Sequence, residues 1–207
     1  MNKTLKLMLL LLFVPLLSST LSAQDSPYAD IPKSRTDDGA FVLGNPDAPV
    51  KMIEFADFLC PHCQDYKATV EQFIAEYVVT GQAQFEYRML PIVDPNLSPY
   101  TADLVECADI LSDGELFWDA HDLMYEITSA AQLSPESITE FADTLGLDED
   151  ALNECTVTAS QYETDTDLAQ SLNIAGTPTI AMQYGDSELI IIALPSAAQF
   201  DLLVNAK

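Results

Sequence analysis

Seven residues, Val50-Lys51-Met52-Ile53-Glu54-Phe55-Ala56, carry apolar side chains on both alternating faces, Val50 and Met52 on one and Ile53 and Phe55 on the other. A strand tolerates that pattern only where other layers cover both faces, so this run is expected to be a buried central strand. A little further on, Cys60-Pro61 opens a second pattern. Tyr66, Val70, Phe73, Ile74 and Tyr77 recur at helical spacing up to Gly81, and proline suits the first helical turn. Ala83, Phe85, Tyr87 and Met89 then alternate with Gln84, Glu86 and Arg88, which predicts a second strand with one face covered more fully than the other. Strand, helix and strand make a βαβ unit, whose crossover is expected to be right-handed.

The 207 residues, 48% of them hydrophobic, suffice for one well-buried core and are short for two domains of ordinary size. From 94 to 173 the pattern is helical throughout. Tyr100, Leu104, Cys107, Ala108 and Leu111 share one face, Phe117, His121, Met124 and Tyr125 another, and Ile138, Phe141, Ala142 and Leu145 a third. Ser134-Pro135 reads as an N-cap and first-turn pair, Gly146 as a C-cap, and Asp148 as the start of a further helix. Strand signals return at 179–184 and 188–194 around a Gly185-Asp186 turn, before a short helix at 196–204. The helices therefore read as an insertion, 94–173, into an α/β domain made of 39–93 and 174–207.

Ahead of that domain, 24–38 is polar and patternless, with Pro27 and Pro32, and is expected to be a flexible lead-in. Lys3 and Lys6 precede an apolar run from Leu7 to Leu17 and then Ser18, Ser19 and Thr20. Because that run is shorter than the ~20 residues of a spanning helix, 1–23 is expected to be a secretory signal peptide cleaved after Ser22 or Ala23, with an uncleaved anchor as the alternative. The mature protein is then expected in the periplasm or another extracytoplasmic space, as a monomer. A formal charge of −25 repels phosphate backbones and anionic membranes, which argues against nucleic acid and membrane as partners.

All four cysteines, Cys60, Cys63, Cys107 and Cys155, lie in the expected exported part, and an even count there fits two disulfides. Two cysteines separated by two residues at a strand-to-helix junction are placed for thiol and disulfide chemistry. A helix N-terminus stabilises negative charge through unpaired amides and the helix dipole, so Cys60 is expected to be the nucleophile and Cys63 its buried resolving partner. His62, between them, adds positive charge or a hydrogen bond beside the Cys60 thiolate. Glu54 has two readings. It is either a poorly solvated acid that exchanges protons with Cys63, or a carboxylate that pairs with a base such as Lys51 or sits at a wet strand edge.

Structural zinc competes for the cysteine pair, but zinc takes four ligands, and only His62, His121 and two distant cysteines are at hand. No metal and no cofactor beyond a Cys60–Cys63 disulfide is expected. Cys107 and Cys155 each fall on the apolar face of a helix. Bridged, they would staple the insertion; unbridged, they would be two core thiols. In Gly176-Thr177-Pro178-Thr179 the proline lacks a ladder donor; an ordinary trans turn is the default, whereas a cis bond would let the Thr177 backbone face an extended substrate. His121 reads as a packed helix histidine.

Three segments, Glu54-Phe55-Ala56-Asp57-Phe58-Leu59-Cys60-Pro61-His62-Cys63, Phe117-Trp118-Asp119-Ala120-His121 and Gly176-Thr177-Pro178-Thr179, resemble in order and spacing the DsbA-like branch of the thioredoxin superfamily. The likeness runs from about Asp38 to the C-terminus. It implies an α/β thioredoxin fold, a central mixed sheet with flanking helices, split by an inserted all-helical domain. It also implies Cys60 as the attacking cysteine, Pro178 in the cis form beside the Cys60–Cys63 disulfide, and Glu54 as the family's buried acid. Many relatives carry a second cysteine pair in the insertion, which resembles Cys107 and Cys155.

Thr177 departs from the valine of the best-known oxidases and is shared with disulfide isomerases, which use an N-terminal dimerisation domain for which the lead-in is too short. The function so implied is thiol–disulfide exchange at Cys60 and Cys63 that introduces disulfides into reduced or unfolded exported proteins. A membrane quinone-linked thiol oxidase is the implied reoxidant. Disulfide isomerase or reductase is the alternative within the fold, and a non-enzymatic chaperone-like binding module is the alternative outside enzymes.

Overall fold

The computed structural model describes residues 26–130 and 133–205, so the expected signal segment lies outside the described residues. Within them, β1 (Lys33–Arg35), β2 (Phe41–Gly44), β3 (Val50–Ala56), β4 (Ala83–Met89), β5 (Thr179–Tyr184) and β6 (Ile190–Ile192) form one mixed sheet in the order β1-β2-β4-β3-β5-β6. β3 is central, parallel to β4 and antiparallel to β5, and every residue in it except Lys51 is buried. The apolar pattern on both its faces has its cause in this position.

α1 (Pro61–Phe73) runs on through a π turn at Ile74–Val78 and returns the chain to β4. Helices α2 (Leu97–Leu111), α3 (Phe117–Ser129), α4 (Pro135–Leu145), α5 (Glu149–Cys155) and α6 (Gln161–Ser171) lie between β4 and β5, and α7 (Ala197–Val204) closes the chain. The fold is a thioredoxin-type sheet with inserted helices. Ser134 and Asp148 cap α4 and α5 through their side chains, and Gly146 ends α4 at φ 69°.

Alternation along β3 divides the core in two. Met52 and Ala56, with Phe85 and Tyr87 of β4, belong to the main cluster with side chains of α1, α3 and α7. There Phe58, Tyr87, Tyr125 and His121 pack ring against ring, at centroid distances from 4.6 to 5.7 Å. Ile53 and Phe55 join a second cluster with Leu90, Ala169, Ile174 and Ala181, to which Leu168 and Leu172 pack. Helices thus cover both faces of the parallel pair.

Two expectations are corrected, for one physical reason. β4 has no poorly covered face: Gln84, Glu86 and Arg88 are 6%, 3% and 4% exposed. Arg88 Nε donates to Glu86 at 2.6 Å, and its terminal nitrogens donate to both Asp38 oxygens at 2.7 and 3.0 Å and to Asp165 at 3.0 Å. Lys51 donates to Glu86 at 3.0 Å, and Asp165 also accepts the Met89 amide at 2.9 Å. Charges that are paired and hydrogen-bonded can be buried, so alternation of polarity here does not mean alternation of exposure.

The same cluster holds Asp38, and with it the segment expected as a flexible lead-in. From Ser26 onward this stretch is part of the fold: Tyr28 and Ile31 are buried, and β1 pairs with β2. Neither strand was anticipated. β1 reads Lys-Ser-Arg, with no apolar pattern, and β2 runs directly into the turn signals at Gly44-Asn45-Pro46.

Cys107 of α2 and Cys155 of α5 are joined by a disulfide, with Cα atoms 5.8 Å apart and a sequence separation of 48. Closing a loop of that length removes unfolded-state entropy worth about 4 kcal/mol in the chain-entropy model. The double variant Cys107→Ala, Cys155→Ala is expected to lose about that much stability in urea unfolding. A loss below about 1 kcal/mol would show that the insertion holds together without its staple.

Candidate active site

Cys60 is the N-cap residue of α1 and Pro61 its first residue, so the chain leaves β3 through Asp57-Phe58-Leu59 and enters the helix at the first cysteine. Asp57, 2% exposed, closes that turn. Its Oδ1 accepts the Leu59 amide at 2.9 Å, its Oδ2 accepts the Ile92 and Val93 amides, both at 2.8 Å, and its carbonyl accepts the Cys60 amide at 3.0 Å. The Phe58 carbonyl accepts from the Gln64 side chain at 2.9 Å and from the Thr128 hydroxyl at 2.8 Å. The turn is therefore tied to the segment after β4 and to α3. Sequence reading passed over Asp57; the available signal was an aspartate opening a turn, where its side chain bonds the backbone two residues on.

Cys60 and Cys63 are free thiols, 5% and 1% exposed. Cys60 Sγ donates to the Thr177 carbonyl at 3.3 Å, across a sequence separation of 117. The Thr177–Pro178 peptide is cis, so the loop before β5 forms the wall facing the start of α1. Pro61 and His62 are exposed beside this contact. Cys63 packs in the main core. Burial pushes its thiol well above the usual range; a hydrogen bond with the Asp57 backbone opposes that, and the nearby Glu54 carboxyl adds to it.

Glu54 is 2% exposed. Lys51 is taken by Glu86, so the reading of Glu54 as a partner of Lys51 does not hold. Its Oε1 has no hydrogen-bond partner among the described residues, and burial raises its carboxyl to about 8. It lines a cavity of about 10 Å³ together with Cys63 and His121. His121, buried on α3, packs as a helix histidine, yet its Nδ1 lies 3.1 Å from Asp122 Oδ1 and its Nε2 has no partner among the described residues.

The structure thus gathers Glu54, Cys60, Pro61, His62, Cys63, Thr177 and Pro178 at one end of β3, while Cys107 and Cys155 are bonded to each other within the insertion. Two thiols, one meeting the cis-proline loop and one buried beside a proton-holding acid, can pass between dithiol and disulfide. Among the described residues no group of three or more His, Cys, Asp or Glu could hold a metal ion, and no helix is long and apolar enough to cross a membrane.

Comparison with known proteins agrees with this geometry. A family model described as Thioredoxin matches residues 36–187. The Na(+)/H(+) antiporter NhaA 3 of Salinispora tropica is 30% identical over 141 residues, 67% of this chain and 21% of the antiporter. Disulfide bond formation protein D of Bacillus subtilis is 28% identical over 161 residues, 69% of this chain and 67% of that protein. The chain thus spans 21% of the length of the antiporter and 67% of the length of the disulfide bond formation protein. Among solved structures, the thiol-disulfide exchange protein alpha-DsbA2 of Wolbachia pipientis superposes with a TM-score of 0.65 at 24% identity, covering 80% of this chain and 85% of that one. At that identity the likeness is one of fold.

Glu54 keeps its proton in the folded protein up to about pH 8 but loses it in the unfolded chain near 4.5. Its folded value is raised, so its contribution to stability is full below pH 4.5 and is lost as pH climbs to about 8. Glu54→Gln, which does not titrate, is expected to be more stable than the natural protein at pH 8 by on the order of 5 kcal/mol, and nearly equal to it at pH 4.5. Urea unfolding at both pH values measures the difference. The same difference at both would mean that Glu54 titrates as an ordinary carboxyl.

Proposed function

We propose that this chain, which belongs to the thioredoxin family, is a DsbA-like thiol–disulfide oxidoreductase that introduces disulfides into reduced exported proteins outside the cytoplasm. The observation that carries this reading is the meeting of Cys60 Sγ with the Thr177 carbonyl at 3.3 Å, which puts a sulfur, a helix N-terminus and the cis-proline loop in one place.

From the oxidised couple, a substrate thiolate attacks Cys60 Sγ, and the Cys60–Cys63 bond breaks with its electron pair leaving on Cys63. Glu54, protonated at neutral pH, gives Cys63 its proton. The Thr177 backbone offers the mixed disulfide a hydrogen-bonding edge. A second substrate thiolate then attacks the substrate sulfur, so the substrate leaves oxidised and Cys60 leaves as a thiolate, its charge favoured by the start of α1. Pro61 sets that helix start, and exposed His62 offers Cys60 a positive charge or a hydrogen bond.

A membrane quinone-linked thiol oxidase accepts the two electrons and restores the disulfide, with no further cofactor. The Cys107–Cys155 bond supports an oxidising compartment. The name of the Bacillus subtilis relative supports disulfide formation as the direction. Thr177, the residue that faces Cys60, is the specific observation behind a second reading as isomerase or reductase.

Equilibration with glutathione tests the direction. Dithiol couples of this fold run from ~−270 mV in thioredoxin to ~−120 mV in DsbA, a gap of about 7 kcal/mol for two electrons. A value toward the upper end is expected, and one near the thioredoxin value overturns the oxidase reading. Cys60→Ser should abolish oxidation of a reduced test protein. Cys63→Ser should accumulate a mixed disulfide on Cys60, visible by mass under non-reducing conditions.

A further inference from the structure

Among the described residues four buried side-chain atoms have no hydrogen-bond partner, and two of them, Glu54 Oε1 and His121 Nε2, belong to residues that line the same cavity of about 10 Å³. That volume fits one water molecule. An unpartnered buried polar atom costs about 1–3 kcal/mol, so two such residues on one water-sized space are unlikely neighbours by chance. β3 supplies Glu54, α1 supplies Cys63 and Lys67, and α3 supplies His121 and Asp122.

The histidine is held in one orientation. Rings of Tyr87 and Tyr125 meet it nearly edge on, at 4.6 and 4.9 Å between centroids. Asp122 Oδ1 lies 3.1 Å from Nδ1. Burial would raise the Asp122 carboxyl, but hydrogen bonds from His121 and Tyr28 and the charge of Lys67 work against it and hold the group below its usual range. Burial in turn lowers the imidazole, so near neutral pH the ring is uncharged. Nδ1 then carries the hydrogen donated to Asp122, and Nε2 is an acceptor.

We infer that one water bound in this cavity bridges Glu54 Oε1 and His121 Nε2, and that the His121–Asp122 pair is the proton outlet of Glu54 as the Cys60–Cys63 couple turns over. The outlet rests on the thiol–disulfide reading above; the water site does not.

In the reoxidising half of the cycle, Cys60 is bonded to a partner sulfur. Cys63 attacks Cys60 Sγ, a new Cys60–Cys63 bond forms, and the partner leaves as a thiolate with the electron pair. As Cys63 gives its proton to Glu54, Glu54 passes its own through the water to His121 Nε2. The imidazolium so formed is balanced by the Asp122 carboxylate. When substrate is oxidised, the same protons run inward.

Other groups around the cavity do not compete for this role. Burial holds Tyr28, Tyr87 and Tyr125 protonated far above neutral pH, and Tyr66 likewise. Lys67 is raised, since Asp122 and Glu71 hold its proton against burial, and it forms ion pairs with both. His121 is the remaining lining residue, besides Glu54 and Cys63, whose ordinary range lies near neutral pH.

Nitrogen NMR of the reduced full-length protein tests the bridge. The His121 Nε2 resonance should show a titration step near pH 8, following Glu54, and Glu54→Gln should remove it. A resonance with no such step, or a step that persists in Glu54→Gln, overturns the water bridge. Stopped-flow closure of a Cys60 mixed disulfide tests the outlet. His121→Gln, and independently Asp122→Asn at the partly exposed end of the pair, should slow closure at least about tenfold and flatten its pH profile, with alkylation of Cys60 in the reduced protein, which expels no Cys63 sulfur and calls on no proton from Glu54, unchanged. Normal closure in a folded Asp122→Asn or His121→Gln protein overturns the outlet. Failure of the natural protein to exchange thiols at all would instead remove the oxidoreductase reading and the outlet with it, while the NMR measurement still decides the bridge.

Discussion

Three backbone amides converge on the carboxylate of Asp57, one from Leu59 in the turn itself and two from Ile92 and Val93 beyond β4. Where parallel strands end, the next amides have no ladder partner, and buried amides must find an acceptor. Asp57 supplies it with hydrogen bonds to an ionisable group, each worth about 1.5–3 kcal/mol. The turn after β3 is thereby fixed against the segment after β4, and α1 follows with Cys60 as its N-cap. The cis Thr177–Pro178 loop then meets a sulfur whose position is already set.

Buried carboxylates take two roles in this protein, and their neighbours decide which. On one side of the sheet Glu86, Asp165 and Asp38 surround Arg88, with Lys51 on Glu86. Each charge there has a partner. The cluster is a structural tie between β4, α6 and the N-terminal segment, and Arg88 holds the Asp38 carboxyl below its usual range. Glu54 sits on the opposite side, in a strand between Tyr87 and Ile180, and forms no ion pair among the described residues. An unpaired carboxyl in that setting stays protonated and is ready to exchange its proton with a buried thiol.

Much of the fold was legible because it repeats. The period of β3, the apolar stripe of α1 and the faces of α2 to α4 are local patterns, and burial follows them directly. β1, β2 and the ordered stretch before them were not legible, being too short or too polar to show a period. β4 misled in a more instructive way. Its polar residues alternate as a solvent-facing set would, but Asp38 and Asp165, 50 positions before Arg88 and 77 after it, supply the charges that allow burial.

Read alone, the sequence determined that two cysteines stand at a strand-to-helix junction, that an acid lies on the strand leading to them, and that helices interrupt the sheet. Those are statements about spacing, and spacing is written along the chain. Tertiary structure decided which groups meet: Thr177 with Cys60 across 117 residues, Cys107 with Cys155 across 48, Asp57 with Ile92 and Val93, and Glu54 with no direct hydrogen-bond partner for its Oε1 among the described residues. A residue's polarity is local information. Its partner depends on where distant segments are brought by packing, and the protonation of Glu54 and Cys63 follows from the partner or its absence.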